Sequence, residues 1–395
     1  MKTKLFPLFL TTLVVVLSLV LSLNAQTSKE AKFNVGKGDL LDVSLSQGSI
    51  DITTGSGNEV NVLAKNIEEN ELKLLTMEKK RTGIKIKFEG EDSDDFELIL
   101  TIPSSLNLDL STGGGNVSVN GDLSGDADVS TGGGNITVNA INGTADVSTG
   151  GGNIVTTDIN GSADLSTGGG EIKVGVINGV ADLSTGGGNI YITSVNSSAD
   201  ISTGGGNINV GDVGGKADIS TGGGNINVGD VGGKADISTG GGNIKVGNVS
   251  GSADISTGGG NINLEGAEGK IDVSTGAGNI SLKNITGFVD ASTGAGDIYA
   301  ELIPDGKTHS ELSTGIGDIE LQIQGSANAT IIASTSVIMW SGDESDLENI
   351  RSDFESSNVK RNRENKSIEI TYVLNGGGSK IEISTGMGEI DIKKK

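Results

Sequence analysis

Along residues 127–295 apolar and polar positions alternate in short runs that glycine interrupts. In the stretch 199–216, ADISTGGGNINVGDVGGK, Ala199, Ile201 and Thr203 fall on one face, Ile208 and Val210 on a second, and Val213 stands alone as a third apolar point. Alternation with a period of two predicts strands. The tracts Gly204-Gly205-Gly206 and Gly214-Gly215 mark corners, where the chain turns with dihedrals that side chains resist. A helical reading fails, because many of the 65 glycines in 395 residues would sit in helix interiors, at about 1 kcal/mol each.

The alternation is itself repeated. Ser-Thr-Gly begins at Ser130, Ser148, Ser166, Ser184, Ser202, Ser220, Ser238, Ser256, Ser274 and Ser292, each 18 residues after the last, and residues 199–216 and 217–234 are the same string. Units that interchange so freely are turns of a stack. One turn alone cannot bury its apolar face, but stacking sets Ile201 between Leu183 and Ile219 and builds a narrow continuous core. The predicted fold is all-β, a single-stranded β-solenoid (β-helix) with 18-residue rungs and irregular caps at both ends. Apolar steps of seven, five and six residues do not keep a hexapeptide register, which favours the right-handed form over the left-handed one. Further copies at Ser111 and Ser313 make twelve, a rod of about 55 Å at about 4.8 Å per stacked strand.

The ends break the pattern. Four regions are expected: a signal peptide over 1–25, an N-terminal cap with degenerate rungs over 26–110, the regular solenoid over 111–323, and a C-terminal cap over 324–395. In the N-terminal cap, Ile50 and Ile52 precede a mixed-charge stretch, 65–95, read as an insertion or irregular sheet. Phe96, Leu98, Leu100 and Ile102 then alternate up to Pro103. In the C-terminal cap, 326–340 predicts a strand pair ending at Trp340. A charged excursion, 343–366, follows, whose Leu347, Ile350 and Phe354 are spaced for a short helix. Ser384-Thr385-Gly386 is expected to close the stack as its last rung. Caps are needed because an open stack presents unpaired strand edges.

Lys2 and Lys4 precede an almost wholly apolar run from Leu5 to Leu23, and Ala25 offers a small residue at a cut before Gln26. This is the pattern of an export signal, which places the mature chain at the cell surface, in the periplasm or outside the cell, without a membrane span. An uncleaved anchor is the other reading of so long a run. The chain has no cysteine, so neither disulfides nor a lipid-modified cysteine is available. Aromatic residues make up 3%, too few for a globular core of this length, and the net charge of -23 argues against nucleic acid or anionic membranes as partners.

Certain motifs resemble a known family. These are Phe96-Glu97-Leu98-Ile99-Leu100-Thr101-Ile102-Pro103 before Leu110-Ser111-Thr112-Gly113, the STGGGNI coils, and the closing Asn375-Gly376-Gly377-Gly378 with Ile383-Ser384-Thr385-Gly386-Met387-Gly388-Glu389-Ile390. Together they are similar to the bacterial putative adhesin family of exported β-strand-repeat proteins, and more distantly to the head domains of putative auto-transporter adhesins. The resemblance spans nearly the whole mature chain and implies an exported β-solenoid that binds surfaces.

Three sets of residues could carry chemistry. Asp128, Asp146, Asp164, Asp182, Asp200, Asp218, Asp236, Asp254, Asp272 and Asp290 recur once per rung, so stacking lines them up about 4.8 Å apart as a solvated acidic stripe or a weak cation ladder. Asn135, Asn153, Asn189, Asn207, Asn225, Asn243, Asn261 and Asn279, with Glu171, Asp297 and Asp318 in the same phase, read as an internal amide ladder. Asn207, Asn209, Asn225 and Asn227 are the possible ligand face, on which glycan could dock. Gly204-Gly205-Gly206 is followed by Asn207-Ile208-Asn209, not by the aspartate that a calcium nonapeptide needs, and no Lys-Ser or Lys-Thr follows to make a phosphate loop. The single histidine, His309, lies in an expected loop without catalytic company. No enzymatic activity and no cofactor are expected.

Two functions follow. In the first, a monomeric adhesin or surface-binding rod makes repeated weak contacts with cell-surface glycan. In the second, a periplasmic or envelope scaffold binds a protein partner through its caps.

Overall fold

The computed structural model describes residues 27–90, 95–336, 348–364 and 366–395. The signal segment, Trp340 and Leu347 lie outside the described residues.

Among the described residues the strands join in one 35-stranded sheet, so the chain is all-β as expected. Strand Ala199–Thr203 pairs in parallel with Ala181–Thr185 on one side and Ala217–Thr221 on the other. Strand Ile208–Val210 does the same between Ile190–Val195 and Ile226–Val228. Equivalent residues of successive repeats are partners, as in Ile201 with Ile219. A third line of contact is a series of single parallel bridges, Ile141 to Ile159 to Ile177 and Val195 to Val213 to Val231. Identical side chains therefore stand beside one another along the stack, and the inward ones make a continuous apolar column. Ile201, Ile208, Ile219 and Ile226 are fully buried. At about 25 cal/mol per Å² of apolar surface, each such isoleucine contributes about 1.5–3 kcal/mol, and only with a repeat on either side.

The threonine of each Ser-Thr-Gly is buried and tied to the preceding repeat. Thr203 donates its hydroxyl to the carbonyl of Gly188 at 2.8 Å and accepts from the amide of Gly206 at 3.2 Å. From Thr131 to Thr257 each corner is thus stitched to its neighbour by a hydroxyl with both of its functions used, which removes the cost of a buried polar group. The corner glycines allow the approach: a Cβ on Gly204 would stand 2.1 Å from the carbonyl oxygen of Gly186.

Both ends interleave distant parts of the chain. At the N-terminal end, Leu40–Leu45 lies between Asn107–Thr112 and Gly83–Phe88, and Ser49–Gly55 between Val117–Asn120 and Glu97–Pro103. Antiparallel strands then finish each side, Leu75–Lys80 on one and Glu59–Ile67 with Thr27–Asn34 on the other. Phe88 and Phe96, fully buried with ring centroids 4.3 Å apart, plug this end.

At the C-terminal end two expectations are corrected. The repeat containing Ser384 does not close the stack: Ser379–Met387 lies between His309–Ile316 and Ala329–Ser336, and Ile390–Lys394 between Ile319–Ile323 and Ile350–Ser352. Outside it lie Ser367–Leu374 and then Asn358–Asn362, both antiparallel. The described part of the excursion also holds no α-helix. Ile350–Ser352 is a strand whose Ile350 is buried, and Asn358–Asn362 is an exposed strand. A spacing of three and four over so few residues does not outweigh the open edge of Ile390–Lys394, whose backbone groups take the segment as a strand.

Candidate functional site

Four rows of outward side chains run along the stack. On the face built from the Ala-Asp strands, register places Asp128 beside Asp146, and so on through Asp164, Asp182, Asp200, Asp218, Asp236, Asp254, Asp272 and Asp290. The row extends past the regular array to Asp109 and Asp42 on one side and to Glu311 and Glu382 on the other. Partial burial, and then the neighbouring aspartates, hold the carboxyls of Asp128 and Asp182 above the usual aspartate range. Lys216 reaches Asp218 at 2.9 Å and Lys234 reaches Asp236 at 3.3 Å, which relieves the repulsion locally. Among the described residues no three His, Cys, Asp or Glu side chains gather as a metal-holding group.

The corner row is the Asn135 series, and its role is anchoring. Asn153 N–H donates to Asn135 Oδ1 at 2.9 Å, Asn207 N–H to Asn189 Oδ1 at 2.8 Å, and Asn225 N–H to Asn207 Oδ1 at 2.9 Å. The series ends on acids that accept in the same way, Asp297 from Asp318 and Asp318 from Glu389. Asn207 and Asn225 therefore spend their carbonyls on the backbone. A further amide ladder that sequence reasoning missed links Asn142, Asn160, Asn178 and Asn196, with Asn178 Nδ2 donating to Asn160 Oδ1 at 2.6 Å. Its signal was in the sequence, as Ile-Asn or Val-Asn recurring at the same 18-residue step.

The remaining row is the outward side of the strands led by isoleucine. Register sets Lys173 beside Tyr191, Tyr191 beside Asn209, Asn209 beside Asn227, and Asn227 beside Lys245. Asn227 Nδ2 donates to Asn209 Oδ1 at 2.8 Å. A shallow depression of about 450 Å³ lies here, lined by Lys173, Tyr191, Thr193, Asn209, Gly211 and Asn227. The proposed ligand quartet is thus split, with Asn209 and Asn227 on this open face and Asn207 and Asn225 at the corner beside it. Lys173, Tyr191 and Lys245 were missed because they vary from repeat to repeat, although variation in phase with the repeat is itself a mark of an outward position.

His309 opens the strand His309–Ile316 instead of lying in a loop, and its Nε2 is 3.1 Å from Glu382. No described helix is long and apolar enough to cross a membrane.

No family model matches the sequence, and no curated protein matches it. Solved structures similar to the chain include a putative adhesin of Parabacteroides distasonis, at 17% identity over 75% of this chain and 97% of the other, with a TM-score of 0.27. A putative adhesin of Bacteroides fragilis is 14% identical over 75% and 97%, with a TM-score of 0.21. A putative cell adhesion protein of Clostridium sporogenes is 9% identical over 93% and 100%, with a TM-score of 0.16.

Proposed function

We propose that the chain is an exported, non-enzymatic β-solenoid with one right-handed turn per 18 residues, and that it binds cell-surface ligands through repeated shallow contacts along a rigid rod. The observation that carries this reading is the in-register pairing of equivalent residues, such as Asn209 with Asn227, which presents the same side chain at a fixed step. Contacts too weak to hold alone then add by effective concentration, because engaging one repeat brings the next within reach of its ligand. A stack stitched by buried threonine hydroxyls loses little freedom on binding, so its faces are preorganised. The acidic row keeps its own face solvated and resists association with anionic surfaces.

Protease shaving of intact cells, with a periplasmic control protein left untouched, tests the compartment. Removal of the chain is the expected result; survival until the outer layer is breached contradicts a surface role. One observation favours the alternative, an envelope scaffold acting through its cap: on a strongly acidic molecule, Lys360, Arg361 and Arg363 line a recess of about 670 Å³ at the exposed strand Asn358–Asn362 beside Glu364 and Glu369, with Lys360 paired to Glu369 at 2.7 Å. In that case binding is lost when this strand is altered and is indifferent to repeat number.

A further inference from the structure

Resting on the reading of the stack as a ligand-binding rod, we infer that the depression around Tyr191 is an oligosaccharide site, and that its ligand is uncharged and rich in hydroxyl groups. Tyr191 is the sole aromatic residue in the stretch 97–287, and it stands half-buried on the outward side of strand Ile190–Val195. Across the regular array this phase holds small, polar or charged residues for the most part, with Val155 and Tyr299 as the other exceptions, so the stack does not require a large ring here. A ring fixed at its base and open on the other side is a surface for stacking an amphipathic ring of similar size.

The neighbours supply the polar half of such recognition. Asn227 gives one amide hydrogen to Asn209, which leaves the Asn209 amide nitrogen as a donor and the Asn227 carbonyl oxygen as an acceptor, without other partners among the described residues. Sugar hydroxyls donate and accept at once, so a pair that offers both functions suits them. Lys173 and Lys245 stand at the two ends of the row, four strand steps apart, or about 19 Å at 4.8 Å per step. A linear chain laid along the axis therefore meets a donor, a stacking ring, an amide pair and a second donor in order. At the edge of the depression Gly211 lets successive repeats approach closely, because a Cβ there would stand 1.9 Å from the Thr193 carbonyl oxygen.

Charge decides the class. Glu171 precedes the strand of Lys173 and Asp212 follows the strand of Asn209, so acids flank the row, and the molecule as a whole carries -23. A polyanion approaches against that field, whereas an uncharged chain uses the lysines as hydrogen-bond donors without opposition.

The test is calorimetric titration of the full chain with chito-oligosaccharide, cello-oligosaccharide and oligogalacturonate of equal length. The first stands for N-acetylated envelope or matrix sugar and the second for plain glucan. At least one uncharged ligand should bind, more tightly than the uronate. Tyr191→Ala should weaken that binding by about tenfold at an unchanged melting temperature, and Tyr299→Ala, in the same phase but beside Ser281 and Glu320, should not. Binding that Tyr191→Ala and Asn209→Ala leave intact overturns the site while leaving a ligand-binding rod in place. Tighter binding of the uronate overturns the ligand class. If the wild-type chain binds none of the three, the site is refuted, and the rod reading is then judged by its own dependence on repeat number.

Discussion

Gly150, Gly151 and Gly152 are three identical residues under different constraints. A Cβ on Gly150 or Gly152 would stand 2.0 Å from a carbonyl oxygen of the preceding repeat, whereas one on Gly151 meets nothing within 4 Å. The chain shows the same division where its repeats drift: Ala277, Ala295, Ile316 and Met387 occupy the middle position while the flanking glycines stay. Gly151→Ala should therefore change stability by less than about 0.5 kcal/mol, and Gly152→Ala should cost about 1–3 kcal/mol, read as midpoints in denaturant titration. Equal effects would refute the close-approach account. At this scale much was legible: Ala199, Ile201 and Thr203 share the buried face that alternation assigned them. The carbonyl that receives each threonine hydroxyl was not, since it belongs to the preceding repeat and depends on how the two corners nest.

The rows and caps are properties of whole elements. Like charges in register on adjacent parallel strands destabilise a sheet, by about 1 kcal/mol per neighbouring pair in water and less in salt. Because the folded state raises the carboxyl pKa of Asp128 and Asp182, the folded chain binds their protons more tightly than the unfolded one. Their contribution is fully present below the ordinary value of 3.8 and is lost as pH rises through the raised value. Asp305 and Glu320 have the opposite shift, caused first by the Lys307 amide and by Lys393 respectively, and their stabilisation is lost on strong acidification. The melting temperature at low ionic strength is therefore expected to rise as pH falls from neutrality into the range where the raised aspartates protonate, and to drop on stronger acidification as Asp305 and Glu320 lose their partners. The triple variant Asp164→Asn, Asp182→Asn, Asp200→Asn should melt higher than wild type at pH 7 in low salt, with the gap closing in high salt. A persistent gap contradicts the electrostatic cause, and a rise specific to calcium at fixed ionic strength would mark the row as a cation ladder. At the C-terminal end, removing residues 379–395 takes out the layer to which Ala329–Ser336 and Ile350–Ser352 pair. Such a chain should aggregate, whereas loss of the outer strand Asn358–Asn362 alone should be tolerated. The existence of caps was legible in the failing repeat. Their interleaved order was not, because alternation such as Ile381, Ile383 shows which side faces inward and is silent about which distant strand lies alongside.

On the scale of the molecule, the chain is a line of near-equivalent units whose interfaces, more than the units themselves, hold it together. Two identical units, 199–216 and 217–234, allow one to be removed without creating a junction that the native chain lacks, so deletion of 217–234 should leave a cooperatively folded protein. The most direct test of the proposed function uses this property: cell-surface binding measured across a series with 217–234 deleted, present once, and duplicated. Binding that grows with repeat number at constant fold is the result this account expects. Binding that is indifferent to repeat number, yet abolished by altering Lys360, Arg361 and Arg363, would contradict it and assign the function to the cap.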